Sequence, residues 1–195
     1  MMNYLAHAYL SFNQPAILVG NMISDFVKGR KKFDYPPGIQ QGIALHREID
    51  NFTDTHPVTR EAKEVFRPAY RLYAGAFTDV VYDHFLAVDK NEFTPETLLQ
   101  FSVDTYDQLE PFMGELPEKF QQLFPHMKQH NWLYNYQYNY AIERSFAGLV
   151  RRSAYLTESE TAFLLFEKHY QLLQDCYSRF FPDLKNFVIA QLAAV

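Results

Sequence analysis

Glycine is scarce in this chain, with 7 among 195 residues, and neither Asn-Gly nor Asp-Gly occurs. Tight two-residue hairpins depend on such pairs, so a sheet of closely connected strands is not expected. Cysteine is rarer still. Cys176 stands alone, which excludes an internal disulfide framework and fits a reducing compartment, the cytoplasm. No basic residue precedes Lys28, whereas a secretory leader needs positive charge ahead of its apolar run. No uncharged, strongly apolar run reaches the roughly 18 residues of a membrane span. The net charge is -5, so general nucleic-acid binding is not favoured. Also missing are a GxSxG elbow, a phosphate-cradling P-loop and the Rossmann glycine pattern.

What is present reads as helix. Hydrophobic residues make up 48% of the chain, enough for a packed core and unlike a disordered composition. Between the prolines the apolar residues recur mostly at spacings of three and four. The pattern predicts helices over 3–11, 16–29, 37–54, 58–66, 70–89, 95–110, 117–124, 134–150 and 158–180, and one more after Pro182. Thr94-Pro95 marks a helix start, and Thr157 to Glu160 reads as a capping box. The aromatics of Trp132 to Glu143 alternate at period two, a strand signal. Helix is still preferred there, because no partner strand is evident to satisfy an isolated one. The expectation is one compact all-α domain over residues 1–195.

Several polar residues contradict their surroundings. "FTDVVYDHFLAV" is apolar on both flanks, yet it holds Asp79, Asp83 and His84. On a helix the two aspartates are one turn apart and point the same way. A buried, ionised carboxylate costs several kcal/mol, roughly, unless a cation offsets it, and two on one stripe repel. The same pattern recurs three times: His46 and Asp50 at i and i+4 in "LHREID", Asp25 in "GNMISDFVKG", and His7 in "NYLAH". If the four helices pack together, these groups converge. A mixed imidazole and carboxylate cluster suits a divalent ion such as Mn²⁺, Fe²⁺, Zn²⁺ or Mg²⁺. The plainer alternative is a set of core salt bridges using Arg47, Arg71 or Lys28. Asp54 and His56 fit a helix end and turn.

Together these motifs resemble a known family. "MNYLAHAYLS", "GNMISDFVKG", "LHREIDNFTD" and "DVVYDHFLA" are similar to segments of the acyl carrier protein phosphodiesterases. Trp132-Leu133, Gly148-Leu149 with Arg151 and Arg152, and Phe180-Phe181-Pro182 extend the likeness. The resemblance implies a cytoplasmic, all-helical hydrolase related to the HD-domain metal phosphohydrolases, with Mn²⁺ as the usual ion. Its substrate would be holo acyl carrier protein, from which water releases 4′-phosphopantetheine. One feature departs from the HD superfamily: His46 is followed by Arg47, and the one adjacent pair is inverted, Asp83-His84.

On this reading Asp25, His46, Asp50 and Asp83 are the expected metal ligands, with Asp79 next. His84 or His7 would protonate the leaving serine oxygen. Arg47 and Lys28 would stabilise charge on the phosphoryl oxygens. Acyl carrier proteins are small and acidic, so Arg30, Lys31 and Lys32 are the expected docking surface, placed by Gly29 at a helix C-terminus. Two other functions stay open: a related metal phosphohydrolase acting on nucleotides or small phosphate esters, and a non-enzymatic metal-binding module.

Overall fold

The computed structural model describes residues 3–193 and holds no strand among them. Eleven α-helices follow one another. They are α1 Tyr4–Tyr9, α2 Pro15–Ile23, α3 Pro37–Thr55, α4 Pro57–Tyr70, α5 Ala74–Val88 and α6 Pro95–Leu109. The remainder are α7 Glu118–Gln129, α8 Trp132–Asn135, α9 Asn139–Arg152, α10 Glu160–Lys168 and α11 Tyr170–Ala193. Four helices begin on proline, whose missing N–H costs nothing in a first turn. Thr94 caps α6 reciprocally with Thr97, and the His56 side chain accepts the Val58 amide at the start of α4. None of these helices is long and apolar enough to cross a membrane.

α5 is the axle. Twelve of its 15 residues are buried, and α1, α4, α9 and α11 pack against it. Its Phe77 stacks on Phe66 of α4 and meets the edge of Phe146 of α9. Burial of each such ring is worth about 1.5–3 kcal/mol. One continuous core joins all the helices from α1 to α11. On its far side, Lys185 of α11 holds Glu92, and both reach Tyr9 at the end of α1.

α2 and α3 lie unusually close. A Cβ on Gly20 would fall 2.1 Å from the Ile39 carbonyl oxygen, and one on Gly42 would fall 2.3 Å from that of Ile17. Only glycine at both places allows the two backbones to touch.

Some boundaries differ from expectation. The helix foreseen over 16–29 stops at Ile23, and a 3₁₀ turn covers Ser24–Phe26. There the Ser24 hydroxyl bonds the Ile43 carbonyl of α3. Gly29, at φ +60°, therefore does not end that helix. It opens a second 3₁₀ segment, Gly29–Asp34, which carries Arg30, Lys31 and Lys32. The helix expected over 158–180 is two, α10 and α11, divided at His169. α11 runs straight through Pro182, because Phe180, Phe181 and Leu184 are all buried and hold the turn. The capping box at Thr157 does not form; Glu158 instead accepts the Thr161 amide. The aromatic stretch holds no strand, but the helix expected over 134–150 is interrupted: α8 ends at Asn135, a turn covers 136–138, and α9 starts at Asn139.

Candidate metal centre

His7 of α1, His46 of α3 and Asp50 of α3 come together, each offering one ligand atom within 4.8 Å of the others. The two imidazoles are stacked, with centroids 3.8 Å apart and planes 14° from parallel. Both turn Nε2 toward the carboxylate of Asp50: His7 Nε2 lies 3.4 Å from one oxygen and His46 Nε2 3.3 Å from the other. Asp25, in the 3₁₀ turn after α2, adds an oxygen 3.3 Å from His46 Nε2. The imidazoles are sealed in, with side chains 2% and 5% exposed, while Asp25 is 51% exposed and forms the mouth.

Asn21 holds the other end of both rings. Its side-chain oxygen meets His7 Nδ1 at 2.8 Å, and its backbone carbonyl meets His46 Nδ1 at 2.7 Å. It lies in the last turn of α2, where a helix end leaves carbonyls without an intrahelical donor. The Gly20–Gly42 contact brings that carbonyl to α3.

The electrostatics follow from burial and proximity. Burial works against charge on His46, but Asp25 and Asp50 outweigh it and push the imidazole up to about 9. Burial and the neighbouring His46 hold His7 below its ordinary value. Burial opposes ionisation of Asp50, yet the two imidazoles keep it far below the usual carboxylate range. His46 likewise lowers Asp25. Among the described residues neither Nε2 has a hydrogen-bond partner, although both are buried. Both nitrogens face the Asp50 carboxylate: His7 Nε2 offers an electron pair there, and the proton on His46 Nε2 stands where a metal ion could replace it. The donor set, two imidazoles and two carboxylates, fits a borderline divalent ion.

The α5 residues go elsewhere. Asp83 accepts the amides of Leu5 and Ala6, at 2.8 and 3.0 Å, and so closes the start of α1. Burial pushes its carboxyl up to about 8, with those two amides pulling the other way. The structure thus does not bring Asp83 to the cluster: both its oxygens face α1 backbone. His84 bonds the Tyr136 carbonyl through Nδ1 and the Tyr170 hydroxyl through Nε2, so both ring nitrogens are engaged. Asp79 lies beside Asp54, Lys63 and Gly75, and burial raises it well above the ordinary range. Arg47 reaches over the turn after α2 and donates to the Val27 carbonyl at 3.0 Å. Lys28, Arg30 and Lys31 are exposed, and Lys32 is partly so. His7, expected as a proton donor, stands among the cation-facing groups. Asn21 was not foreseen; its one sequence signal is an amide inside the apolar run "ILVGNMI".

The chain is also similar to proteins of known kind. The family described as acyl carrier protein phosphodiesterase matches residues 2–184. An acyl carrier protein phosphodiesterase of Yersinia pestis is 35% identical over 184 residues, covering 94% of this chain and 95% of the relative. One from Photorhabdus laumondii is 34% identical over 182 residues, covering 93% and 92%. One from Klebsiella pneumoniae strain 342 is 34% identical over 184 residues, covering 94% and 95%. No solved structure matches. On a family match and relatives that span nearly its whole length, this chain belongs to the acyl carrier protein phosphodiesterase family.

Proposed function

We propose that this protein is a metal-dependent phosphodiesterase. It hydrolyses the bond between 4′-phosphopantetheine and the carrier serine of holo acyl carrier protein, leaving the apo carrier. The observation that carries the metal part is the convergence of His7, His46 and Asp50 on one point, with both Nε2 atoms turned toward the same carboxylate. Family membership carries the substrate. An HD-like domain over residues 1–195 working in the cytoplasm is part of the same proposal.

His7 and His46 would hold the ion through Nε2, Asp50 through its carboxylate, and Asp25 from the mouth. A bound divalent ion, Mn²⁺ by family likeness, supplies an acidified water and neutralises phosphate charge. The residues do the remainder. The buried imidazoles exclude solvent from behind, and the half-exposed Asp25 leaves the phosphate one side of approach. Lys28, three residues after Asp25, and Arg47, next to His46 in the chain, would offer cations to the phosphoryl oxygens. The segment that follows in the chain carries Arg30 and Lys31, which are exposed, Lys32, which is partly so, and Phe33, which is 60% exposed. It is the surface we assign to the acidic carrier.

The test is incubation with holo acyl carrier protein and Mn²⁺, read by intact mass. A mass loss equal to the prosthetic group, abolished by a chelator, is the expected result. An unchanged carrier alongside turnover of nucleotides would move the substrate to small phosphate esters.

A further inference from the structure

Asn21 is fully buried, and its side-chain contacts and its backbone carbonyl all bear on the two histidines, directly or through Ser11. Its Nδ2 donates to the His7 carbonyl at 2.9 Å and to Ser11 Oγ at 3.1 Å. The Ser11 hydroxyl in turn donates to that same carbonyl at 2.8 Å. A carbonyl only accepts, so the amide nitrogen must face His7 O. That fixes which way the amide points, and the atom left for His7 Nδ1 is Oδ1, 2.8 Å away. Oδ1 also only accepts. His7 Nδ1 must therefore carry the hydrogen, and Nε2 carries the free electron pair.

The same logic holds for His46 by a different route. Its Nδ1 lies 2.7 Å from the Asn21 backbone carbonyl, so it too must donate. One residue thus sets both rings, one through its side chain and one through its main chain. The rings differ in plane by only 14°, and both present Nε2 to Asp50.

We propose that Asn21, braced by Ser11, is the positioning residue of this site, fixing the tautomer and angle of both imidazoles so that each offers Nε2 to one ion. This rests on the metal reading above. Partners of this kind behind metal-binding imidazoles are worth roughly 10–100-fold in metal affinity. The two routes predict different sensitivities. Removing the side chain frees His7 and leaves the main-chain hold on His46 in place.

The experiment uses the full-length protein. Long-range ¹⁵N NMR of the metal-free wild type at pH 8 reads the His7 tautomer, and titration with Mn²⁺ alone reads affinity. Wild type should show His7 as the Nδ1–H tautomer. Asn21→Ala, checked for helical fold by circular dichroism, should show a mixture and bind Mn²⁺ about 10–100-fold more weakly. A His7 that is Nε2–H or mixed in the wild type overturns the proposal without any variant being needed. A folded Asn21→Ala that binds Mn²⁺ as the wild type does also overturns it. His46→Ala separates the two readings. If wild type and His46→Ala bind Mn²⁺ equally, the metal reading fails, and the tautomer alone decides whether Asn21 orients His7.

Discussion

At His46 a proton and a divalent ion compete for one nitrogen. The folded protein raises this imidazole from an ordinary 6.5 to about 9, against burial, through Asp25 and Asp50. Folding therefore favours the proton. That contribution to stability is complete below pH 6.5 and is lost as pH rises through 9. Asp83 acts in the same direction, since burial lifts it to about 8 and the folded state also prefers its proton. Metal-free protein should then be less stable at pH 8.5 than at 6.5. Taking about 2 kcal/mol and about 2–4 °C per kcal/mol, the melting temperature in chelator should drop by roughly 4–8 °C. A flat or rising profile would count against the charged cluster. With Mn²⁺ present the trend should reverse, because the ion displaces the His46 proton and binds better as pH climbs. Asp83 makes a sharper contrast with His46. Asp83→Ala leaves two buried amides without an acceptor, a loss of about 2–5 kcal/mol, visible as a lowered melting temperature. His46→Ala should instead abolish hydrolysis and Mn²⁺ binding while the helical fold survives. An Asp83→Ala protein of unchanged melting temperature that no longer binds Mn²⁺ would restore Asp83 as a ligand.

Among the elements, α2 and α3 fix the geometry. They touch at Gly20 and Gly42, where any side chain would meet backbone oxygens that cannot rotate away. Gly20→Ala should cost about 1–3 kcal/mol by overpacking and weaken Mn²⁺ binding, as the Asn21 carbonyl withdraws from His46. Gly148→Ala is the matched control. Its new methyl would approach nothing closer than an Arg151 nitrogen at 3.6 Å, so thermal denaturation should show it neutral or stabilised by about 0.5–1 kcal/mol. The same pair of helices shows what a sequence can reveal. His46 and Asp50 share one helix, so i and i+4 spacing sufficed to place them side by side. Asp79 and Asp83 have that spacing too, but periodicity does not tell which neighbour a face meets. Asp83 meets amides 77 and 78 positions away. Asn21 was illegible for another reason: half of its role uses a carbonyl that every residue has. Proline punctuates the sequence pattern, yet packing overrides it in α4, α7 and α11.

Over the whole molecule the net charge is -5, yet Lys28 to Lys32 hold four positive charges in five residues. Fields of exposed charge fade over about 10 Å at 0.1 M salt, so a local patch can attract an acidic carrier that the total charge would repel. Changing Arg30, Lys31 and Lys32 together to Ala should lower kcat/KM for holo carrier, roughly tenfold at low salt, and flatten its salt dependence. A small phosphodiester, which needs no docking, should show no change. Equal loss on both substrates would place the patch in the fold or the metal site. The hold of Asp83 on the amides of Leu5 and Ala6 has a consequence in time. Synthesis adds about 5–20 residues per second, so Asp83 leaves the ribosome roughly two to seven seconds after Asp50. Until then the amides of Leu5 and Ala6 lack that acceptor. Asn21, Asp25, His46 and Asp50 are by then already made, so the whole cluster is synthesised before the carboxylate that closes the helix carrying His7.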